Sequence, residues 1–340
     1  MESRELDQLP RGGPDMKSAA FVHRPVMFQE VMDVFSPLRA GLVVDGTLGG
    51  GGHARGILEL DPQRLVLGLD RDSSATAAAE KLLAGYSRRF MAMHREFDEL
   101  DEVLVKACEA DSKFCGAPIG LLLDLGVSSP QLERAERGFS YRLEGPLDMR
   151  MDPTKGQSAA EYLDSVSLDE LTLLLRDNGE SRFAYRIARA VLAGRPFLST
   201  TQLADVIKSA IPAAARRTGG HPATRVFQAL RIRVNDELEK LQVVLGKAFD
   251  LLLPGGRIAV LSYHSGEDSI VKAMFHNQVT GGCTCPPRYG CVCGAVSNAA
   301  YVVRSKAPSS KEIDENPRSR SARLRAIELL DVGEAGGRRN

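Results

Sequence analysis

The sequence lacks tryptophan and lacks any net charge, because its 340 residues contain 44 basic and 44 acidic side chains. Overall charge therefore gives no argument for a polyanionic partner. No apolar run approaches the roughly 18 residues that a membrane span needs, and the N-terminal segment has no apolar core of the kind that a secretion signal requires. The composition, 43% hydrophobic and 26% charged, is typical of a globular protein. We expect a cytoplasmic protein of about two domains, preceded by a disordered leader over residues 1–20.

Cysteine is too scarce for a secreted disulfide framework, with six residues in the chain. Four of them form the pattern C-x-C-x5-C-x-C, at Cys283, Cys285, Cys291 and Cys293. Thiolates this close in sequence are candidate zinc ligands, although zinc ligands are more often separated by at least two residues. The alternative is a reduced or redox-sensitive surface loop, so no metal is assured. Cys108 and Cys115 show no pattern that predicts a partner.

Short apolar runs alternate with helical segments between residues 41 and 125. The runs GLVVDGT (41–47), LVLGLD (65–70), FMAMH (90–94) and IGLLLDL (119–125) predict four strands. Near-continuous apolar strands separated by helices predict a parallel sheet that is covered on both faces. RIAVLSYH (257–264) predicts a further strand of the same sheet.

The pattern between the fourth and fifth predicted strands is helical. We therefore predict an α/β fold whose sheet domain is discontinuous, over residues 21–131 and 226–330. A helical insertion that recognises the substrate is predicted over residues 132–225, and a flexible tail over 331–340. One long helix is predicted over about residues 226–252, ending at the sequence PGG.

Four consecutive glycines, Gly49 to Gly52, follow the first predicted strand. Each glycine loses more conformational entropy on folding than any other residue, so their presence indicates a tight turn or a ligand close to the backbone. With His53 and Ala54 they match G-x-G-x-x-A between a strand and a helix, the context of a dinucleotide-type loop. Asp45 precedes them and favours a cationic ligand such as S-adenosylmethionine over the pyrophosphate of a nicotinamide dinucleotide.

Carboxylates end three of the predicted strands. Asp70 ends the second predicted strand, where it can accept hydrogen bonds from ribose hydroxyls; as a helix cap, Asp72 or Ser73 fits better. Ligands of open parallel sheets bind beyond the carboxyl ends of the strands. We therefore expect Asp45, Asp70 and Asp124 to line one crevice.

Two stretches of the neutral chain are locally basic. Residues 176–233 contain eleven basic and three acidic side chains, and residues 304–325 contain seven and three. Each stretch is compatible with binding a polyanion and also with a solvated helix face.

Five segments together resemble the bacterial 16S rRNA cytosine-N4-methyltransferase family (RsmH, also called MraW), over about residues 22–330. They are DGTLGGGGHA, GLDRD, DLGVSSPQLERAERGFSYRLEGPLDMRMD, LSYHSGED and ENPRSRSARLRAIE. The resemblance implies a class I, Rossmann-like methyltransferase fold with an inserted helical domain. It also implies S-adenosylmethionine as methyl donor, and as partner 16S rRNA, which we expect to be bound within the small ribosomal subunit. The implied substrate is the N4 amine of a decoding-centre cytidine, cytosine 1402.

The same resemblance implies a set of cofactor-binding residues: Gly51, Gly52, His53, Asp70, Phe97, Asp124 and Gln131. Two roles stay open for Asp124, which either accepts a hydrogen bond from the N4 amine during catalysis or only holds the cofactor. The loop from His264 to Asp268 is expected to shape the substrate pocket.

Two other functions compete with methyl transfer. A nicotinamide-dependent oxidoreductase is disfavoured by Asp45. An RNA-binding protein with a vestigial cofactor site is disfavoured by the three retained aspartates, Asp45, Asp70 and Asp124.

Overall fold

The computed structural model describes residues 25–213, 215, 221–286 and 292–331 of the chain. The predicted leader lies outside these residues, as does the predicted tail apart from Asp331. Every helix within the described ranges is too short or too polar to cross a bilayer.

The described residues form one seven-stranded sheet. Its strands are β1 (Leu42–Asp45), β2 (Leu65–Asp70), β3 (Phe90–His94), β4 (Gly120–Asp124), β5 (Arg257–Ser262), β6 (Ala299–Lys306) and β7 (Arg323–Leu329). Their order is β3-β2-β1-β4-β5-β7-β6. The first five strands are parallel, whereas β7 runs antiparallel to both β5 and β6. The predicted Rossmann-like fold and its five apolar strands are confirmed, and β6 and β7 are additions that the sequence pattern did not predict.

The helices follow the strands as a doubly wound fold requires. They are α1 (Phe28–Phe35), α2 (Gly52–Leu60), α3 (Ser73–Leu82), α4 (Leu100–Ala110), α5 (Ser129–Glu133), α6 (Ala159–Ser165), α7 (Leu168–Asp177), α8 (Ala184–Gly194), α9 (Thr200–Ala210), α10 (Ala223–Val234), α11 (Glu237–Leu251), α12 (Ser265–Thr280) and α13 (Ser310–Glu315). Between β4 and β5, the described residues contain helices and no strand.

The prediction of one long helix over residues 226–252 is wrong. The chain forms α10 and α11 instead, and Asp236 between them has a left-handed backbone with φ of 49°. The buried side chain of Asn235 explains the break, because it donates to the carbonyl of Met149 and accepts from the amide of Met151, both at 2.9 Å. These tertiary contacts hold the chain in a turn that helical periodicity does not predict.

Each face of the sheet has its own apolar core. Val43, Val66 and Leu122 pack with α1 and α2 on one face. Their neighbours in sequence, Val44, Leu67 and Leu121, pack with α4, α11 and α12 on the other. Successive residues of a strand point to opposite faces, so both must be apolar when helices cover both sides.

The helices inserted after β4 bury a third core of their own, which includes residues of α6 to α10. Val226, Phe227 and Leu230 of α10 belong to it. This packing places α10 with the helical unit, beyond the predicted boundary at residue 225; the division into domains stays a prediction.

Candidate active site

Three carboxylates meet at the carboxyl edge of the parallel strands. Asp45 ends β1, the middle one of the five parallel strands, which has β2 with Asp70 on one side and β4 with Asp124 on the other. Burial raises the pKa of Asp45 from 3.8 to about 7; a hydrogen bond from the amide of Thr47 opposes this, and the charges of Asp124 and Asp70 add to it. The strand order thus brings together the three aspartates that the sequence singled out.

Asp70 holds the glycine loop against the end of β2. One carboxylate oxygen accepts from the amide of Gly49 at 2.8 Å and the other from the amide of Asp72 at 2.8 Å. Burial raises the pKa of Asp70 although these two hydrogen bonds lower it. Each carboxylate oxygen has a second lone pair, so Asp70 retains acceptor capacity for a ligand.

The glycine loop needs its glycines for two reasons. Gly49 and Gly51 have φ of 49° and 81°, which L side chains rarely adopt. A Cβ at Gly52 would lie 2.4 Å from the Pro25 side chain, whereas a Cβ at Gly50 would meet nothing within 4 Å. The loop is therefore packed by protein at Gly52 and open at Gly50.

Asp124 is held by side chains from three other segments. Its backbone amide donates to the hydroxyl of Thr47 at 2.5 Å, and its Oδ1 accepts from the hydroxyl of Tyr263 at 2.6 Å. Its Oδ2 lies 3.6 Å from Nδ1 of His53. The Asp124 side chain is still 24% exposed, so it can reach a ligand in the crevice.

His53 is buried at the start of α2. Its Nε2 lies 3.1 Å from the carbonyl of Val26, a distance at which the ring N–H donates, and its ring stacks on Phe28. These contacts orient Nδ1 toward Asp124. The structure therefore gives His53 a part in positioning Asp124, and its predicted contact with the cofactor stays a prediction.

Gln131 and Asp72 connect the loop after β4 with the loop after β2. The Gln131 amide, 6% exposed, donates to Asp72 at 3.1 Å and accepts from the amide of Ser128 at 3.0 Å. Asp72 also accepts from the Arg137 guanidinium at 2.7 Å and caps α3 through the amide of Ser74 at 3.0 Å. The preference for Asp72 as a helix cap is confirmed, and a contact of Gln131 with the cofactor stays a prediction.

Phe97 lies beside the end of β1. It opens a short 3₁₀ helix, Phe97–Glu99, and a Cβ at Gly46 would lie 3.2 Å from its own Cβ. The Phe97 ring is half-buried against the core that contains α4 and α11. This position is compatible with a Phe97 ring that forms an aromatic wall of the crevice, and equally with one that belongs to the core. The predicted contact with the cofactor therefore stays a prediction.

The loop after β5 positions Tyr263, and its expected part in shaping the substrate pocket stays a prediction. His264 caps α12, and the buried carboxylate of Glu267 accepts from the amide of Tyr263 at 2.7 Å. Burial and the charge of Asp124 raise the pKa of Tyr263 well above 10. Tyr263 therefore stays a neutral phenol that donates to Asp124.

Sequence reasoning missed Thr47, Tyr263 and Arg137. Tyr263 lies near the end of the fifth predicted strand (257–264) and directly after β5 in the structure, so the rule that selected the aspartates would also have selected it. Thr47 and Arg137 act through their partners Asp124 and Asp72, and no periodicity predicts such pairs.

Three of the four clustered cysteines come together in space. The sulfurs of Cys283, Cys285 and Cys293 all lie within 4.8 Å of one another, and Cys291 is outside the described residues. The sequence shows no pattern that predicts a partner for Cys108 or Cys115, and in the structure they form a disulfide with Cα atoms 4.3 Å apart. The short 3₁₀ helix after α4, Ser112–Phe114, returns the chain to the last turn of that helix and makes the pairing possible.

The chain matches known proteins over nearly its whole length. Residues 20–330 match the model of the MraW methylase family. A protein named ribosomal RNA small subunit methyltransferase H from Heliobacterium modesticaldum is 45% identical over 91% of this chain and 99% of its own. One of the same name from Geobacter sulfurreducens is 47% identical over the same shares. A solved rRNA methylase from Streptococcus thermophilus aligns over 92% of this chain and 100% of its own, with 11% identity and a TM-score of 0.41.

The raised pKa of Asp45 predicts how stability depends on pH. The folded protein favours the protonated form of the Asp45 carboxyl. The stability that this carboxyl contributes is therefore fully present below about pH 4 and is lost as pH rises toward 7. Asp45→Asn mimics the protonated form and keeps an acceptor for the Thr47 amide. In urea unfolding, we compare the free energy of unfolding of Asp45→Asn with that of the wild type. The difference in favour of the variant should increase by at most ~1.4 kcal/mol per pH unit between pH 5 and 7, and it should stay constant above pH 7.

Asp101→Asn is the matched control, since Asp101 is exposed on α4 and its ion pair with Lys247 lowers its pKa. The free energy of unfolding of Asp101→Asn should differ from that of the wild type by a constant amount from pH 5 to 8. Parallel stability curves for the wild type and Asp45→Asn would contradict the assignment.

Proposed function

The chain belongs to the MraW methylase family, and on this premise we propose that it methylates small-subunit ribosomal RNA with S-adenosylmethionine as donor. The proposed acceptor is the N4 amine of a decoding-centre cytidine, cytosine 1402. The observation that carries the proposal is the convergence of Asp45, Asp70 and Asp124 around the glycine loop. Such an anionic crevice suits a donor with a cationic sulfonium group.

The residues present fit the donor chemically. Asp70 offers acceptors for ribose hydroxyls, and Phe97 offers an aromatic face for an adenine. Asp45 is buried as a carboxyl whose pKa is about 7, so a neighbouring cation would stabilise its charged form. Gly50 leaves open space beside the loop for a ligand.

When bound, the donor supplies a methyl group that is already activated by the positive charge on sulfur. The remaining task of the protein is to bring sulfur, methyl and nitrogen into line. Tyr263 and the Thr47 hydroxyl fix the position of Asp124, and this supports a part for its carboxylate in the task. A carboxylate there can accept a hydrogen bond from the amine, whose lone pair is otherwise delocalised into the cytosine ring.

The helical unit supplies a basic surface for RNA. Arg186 and Arg189 are exposed on α8 and line a groove of about 750 Å³ against α9, which Asp205 also lines. Arg216 and Arg217 of the same basic stretch lie outside the described residues. A stacked cytosine must leave its stack to reach the crevice, at a cost of a few kcal/mol, and contacts with phosphates offset that cost.

The second basic stretch lies next to the loop after β4. Arg318 pairs with Glu133 of α5 at 2.9 Å, and Glu312 of α13 accepts from the amide of Met27 near the glycine loop. The C-terminal segment thus borders the same edge of the sheet as the carboxylates. We propose that RNA contacts both basic stretches while the target base enters between them.

The function is tested by offering labelled S-adenosylmethionine together with naked 16S RNA or with 30S subunits. Digestion of the RNA should release labelled N4-methylcytidine from one site. Cofactor binding without any transfer to either substrate would favour the vestigial, RNA-binding alternative, and label on another nucleoside would contradict the proposed acceptor.

Asp124→Asn separates the two roles of Asp124. The substitution keeps its size and one acceptor oxygen but removes its charge. If Asp124 accepts from the amine, the variant binds the donor nearly normally and transfers methyl groups on the order of a hundredfold more slowly at saturation. Calorimetry and single-turnover rates measure the two quantities separately.

Asp101→Asn again provides the control for a carboxylate change outside the crevice. If the affinity for the donor falls instead and saturating donor restores the rate, Asp124 is a binding residue and has no catalytic role.

Arg186→Gln with Arg189→Gln should weaken RNA binding and flatten its dependence on salt, because two phosphate contacts are lost. Donor affinity should not change. Filter binding at several salt concentrations measures the slope. Lys106→Gln with Lys113→Gln makes the same charge change at exposed positions on the sheet side, and it should leave the slope unchanged.

An equal loss of slope in both double variants would indicate a general effect of net charge. An unchanged salt dependence of RNA binding in the arginine variant would show that Arg186 and Arg189 belong to a solvated helix face.

A further inference from the structure

Residues 281–298, which we call the cysteine loop, connect α12 to β6 and are closed at their base. The amide of Asn298 donates to the carbonyl of Gln278 at 2.9 Å, and the amide of Gly282 donates to the carbonyl of Asn277 at 3.0 Å. Gly281 has φ of 61° and packs so tightly that a Cβ would lie 2.1 Å from the carbonyl oxygen of Val296. The two ends of the loop are therefore held together by the backbone.

The described part of the loop beyond this base buries little apolar surface. Val292 is 89% exposed and Val296 is 51% exposed. A segment this small rarely forms a hydrophobic core of its own, and such segments are usually ordered by disulfides or metal ions.

Three thiols converge at this place. Cys283 and Cys285 are half-buried and Cys293 is exposed, with all three sulfurs within 4.8 Å of one another. Four thiolates at 2.3 Å around one tetrahedral zinc ion stand about 3.8 Å apart. Sulfurs ligating different irons of an iron–sulfur cluster stand further apart, so the observed spacing favours a single ion.

The backbone also supports the sulfurs. The amides of Val292 and Cys293 donate hydrogen bonds to the sulfur of Cys285. Outer hydrogen bonds of this kind orient ligands in metal sites. They connect the two halves of the loop across the point at which an ion would bind.

We propose that Cys283, Cys285 and Cys293 bind a structural zinc ion. The ion closes the cysteine loop. All-thiolate ligands are typical of structural rather than catalytic zinc sites.

The fold places this site away from the crevice. α12 starts directly after β5, at the carboxyl edge, and its 16 residues run about 24 Å back along the sheet. The register confirms the direction, because Ala299 pairs with Leu329, next to Glu328, which pairs with Arg257 at the start of β5. The zinc site is therefore independent of the proposed methyl transfer.

The full chain, purified under reducing conditions without chelator, tests the proposal. Elemental analysis should find about one zinc per chain, and cobalt added to the metal-free protein should give the charge-transfer and d–d bands of a tetrahedral thiolate site. Cys285→Ser should lose the zinc and become sensitive to proteolysis within residues 281–298. Cys108→Ser with Cys115→Ser, the matched control, removes two sulfurs elsewhere and should keep the zinc.

Several results would overturn the proposal. They are zinc well below one per chain with reduced thiols and no thiolate bands with cobalt, iron with visible absorbance, or disulfides within the loop by mass spectrometry. The cobalt titration uses the wild-type chain, so it decides the question even if Cys285→Ser does not fold. Methyl transfer by a folded Cys285→Ser should stay within about twofold of the wild-type rate. An absence of methyl transfer by the wild-type chain would contradict the proposed function and leave the zinc proposal unaffected.

Discussion

The crowding of three carboxylates at one edge of a parallel sheet is the constraint on which the site depends. Each carboxylate is accommodated differently. Asp45 is buried and has a pKa of about 7, Asp70 accepts two backbone amides, and Asp124 accepts from Tyr263 beside His53. Removing charged groups from water is costly unless they are paired or protonated, so this arrangement suits a site that a cation completes.

The same edge joins the sheet to the helical unit. Arg137 pairs with Asp72 at 2.7 Å, with both side chains largely buried. Arg71 donates to the carbonyl of Asn235, in the turn that separates α10 from α11. These contacts fix the basic helices relative to the crevice. The surface proposed to bind phosphates therefore keeps a fixed position relative to the residues proposed to hold the donor.

Sequence patterns predicted what depends on local periodicity and missed what depends on partners. The five apolar strands and the cap at Asp72 follow from burial on both faces and from helix-end chemistry. β7, with the sequence RLRAIEL, contains charged residues because Arg325 pairs with Asp268 of α12 and Glu328 with Arg257. The search for apolar runs therefore did not predict that this segment forms a strand. The turn at Asp236 depends on the contacts of Asn235 with the segment at Met149, and the Cys108–Cys115 pair depends on the turn after α4; neither has a signal in periodicity.

The most direct test of a crevice built for a cationic donor is the pH dependence of its preference for S-adenosylmethionine over S-adenosylhomocysteine. The two ligands have the same amine and carboxylate groups and differ in the methyl group and the positive charge on sulfur, so the change of their affinity ratio with pH reports on the sulfonium charge. If that charge binds against ionised Asp45, the ratio measured by calorimetry should rise up to about tenfold between pH 6 and 8, as the carboxyl with a pKa of about 7 loses its proton. Asp45→Asn should show a constant ratio. A ratio in the wild type that does not change with pH would contradict the account.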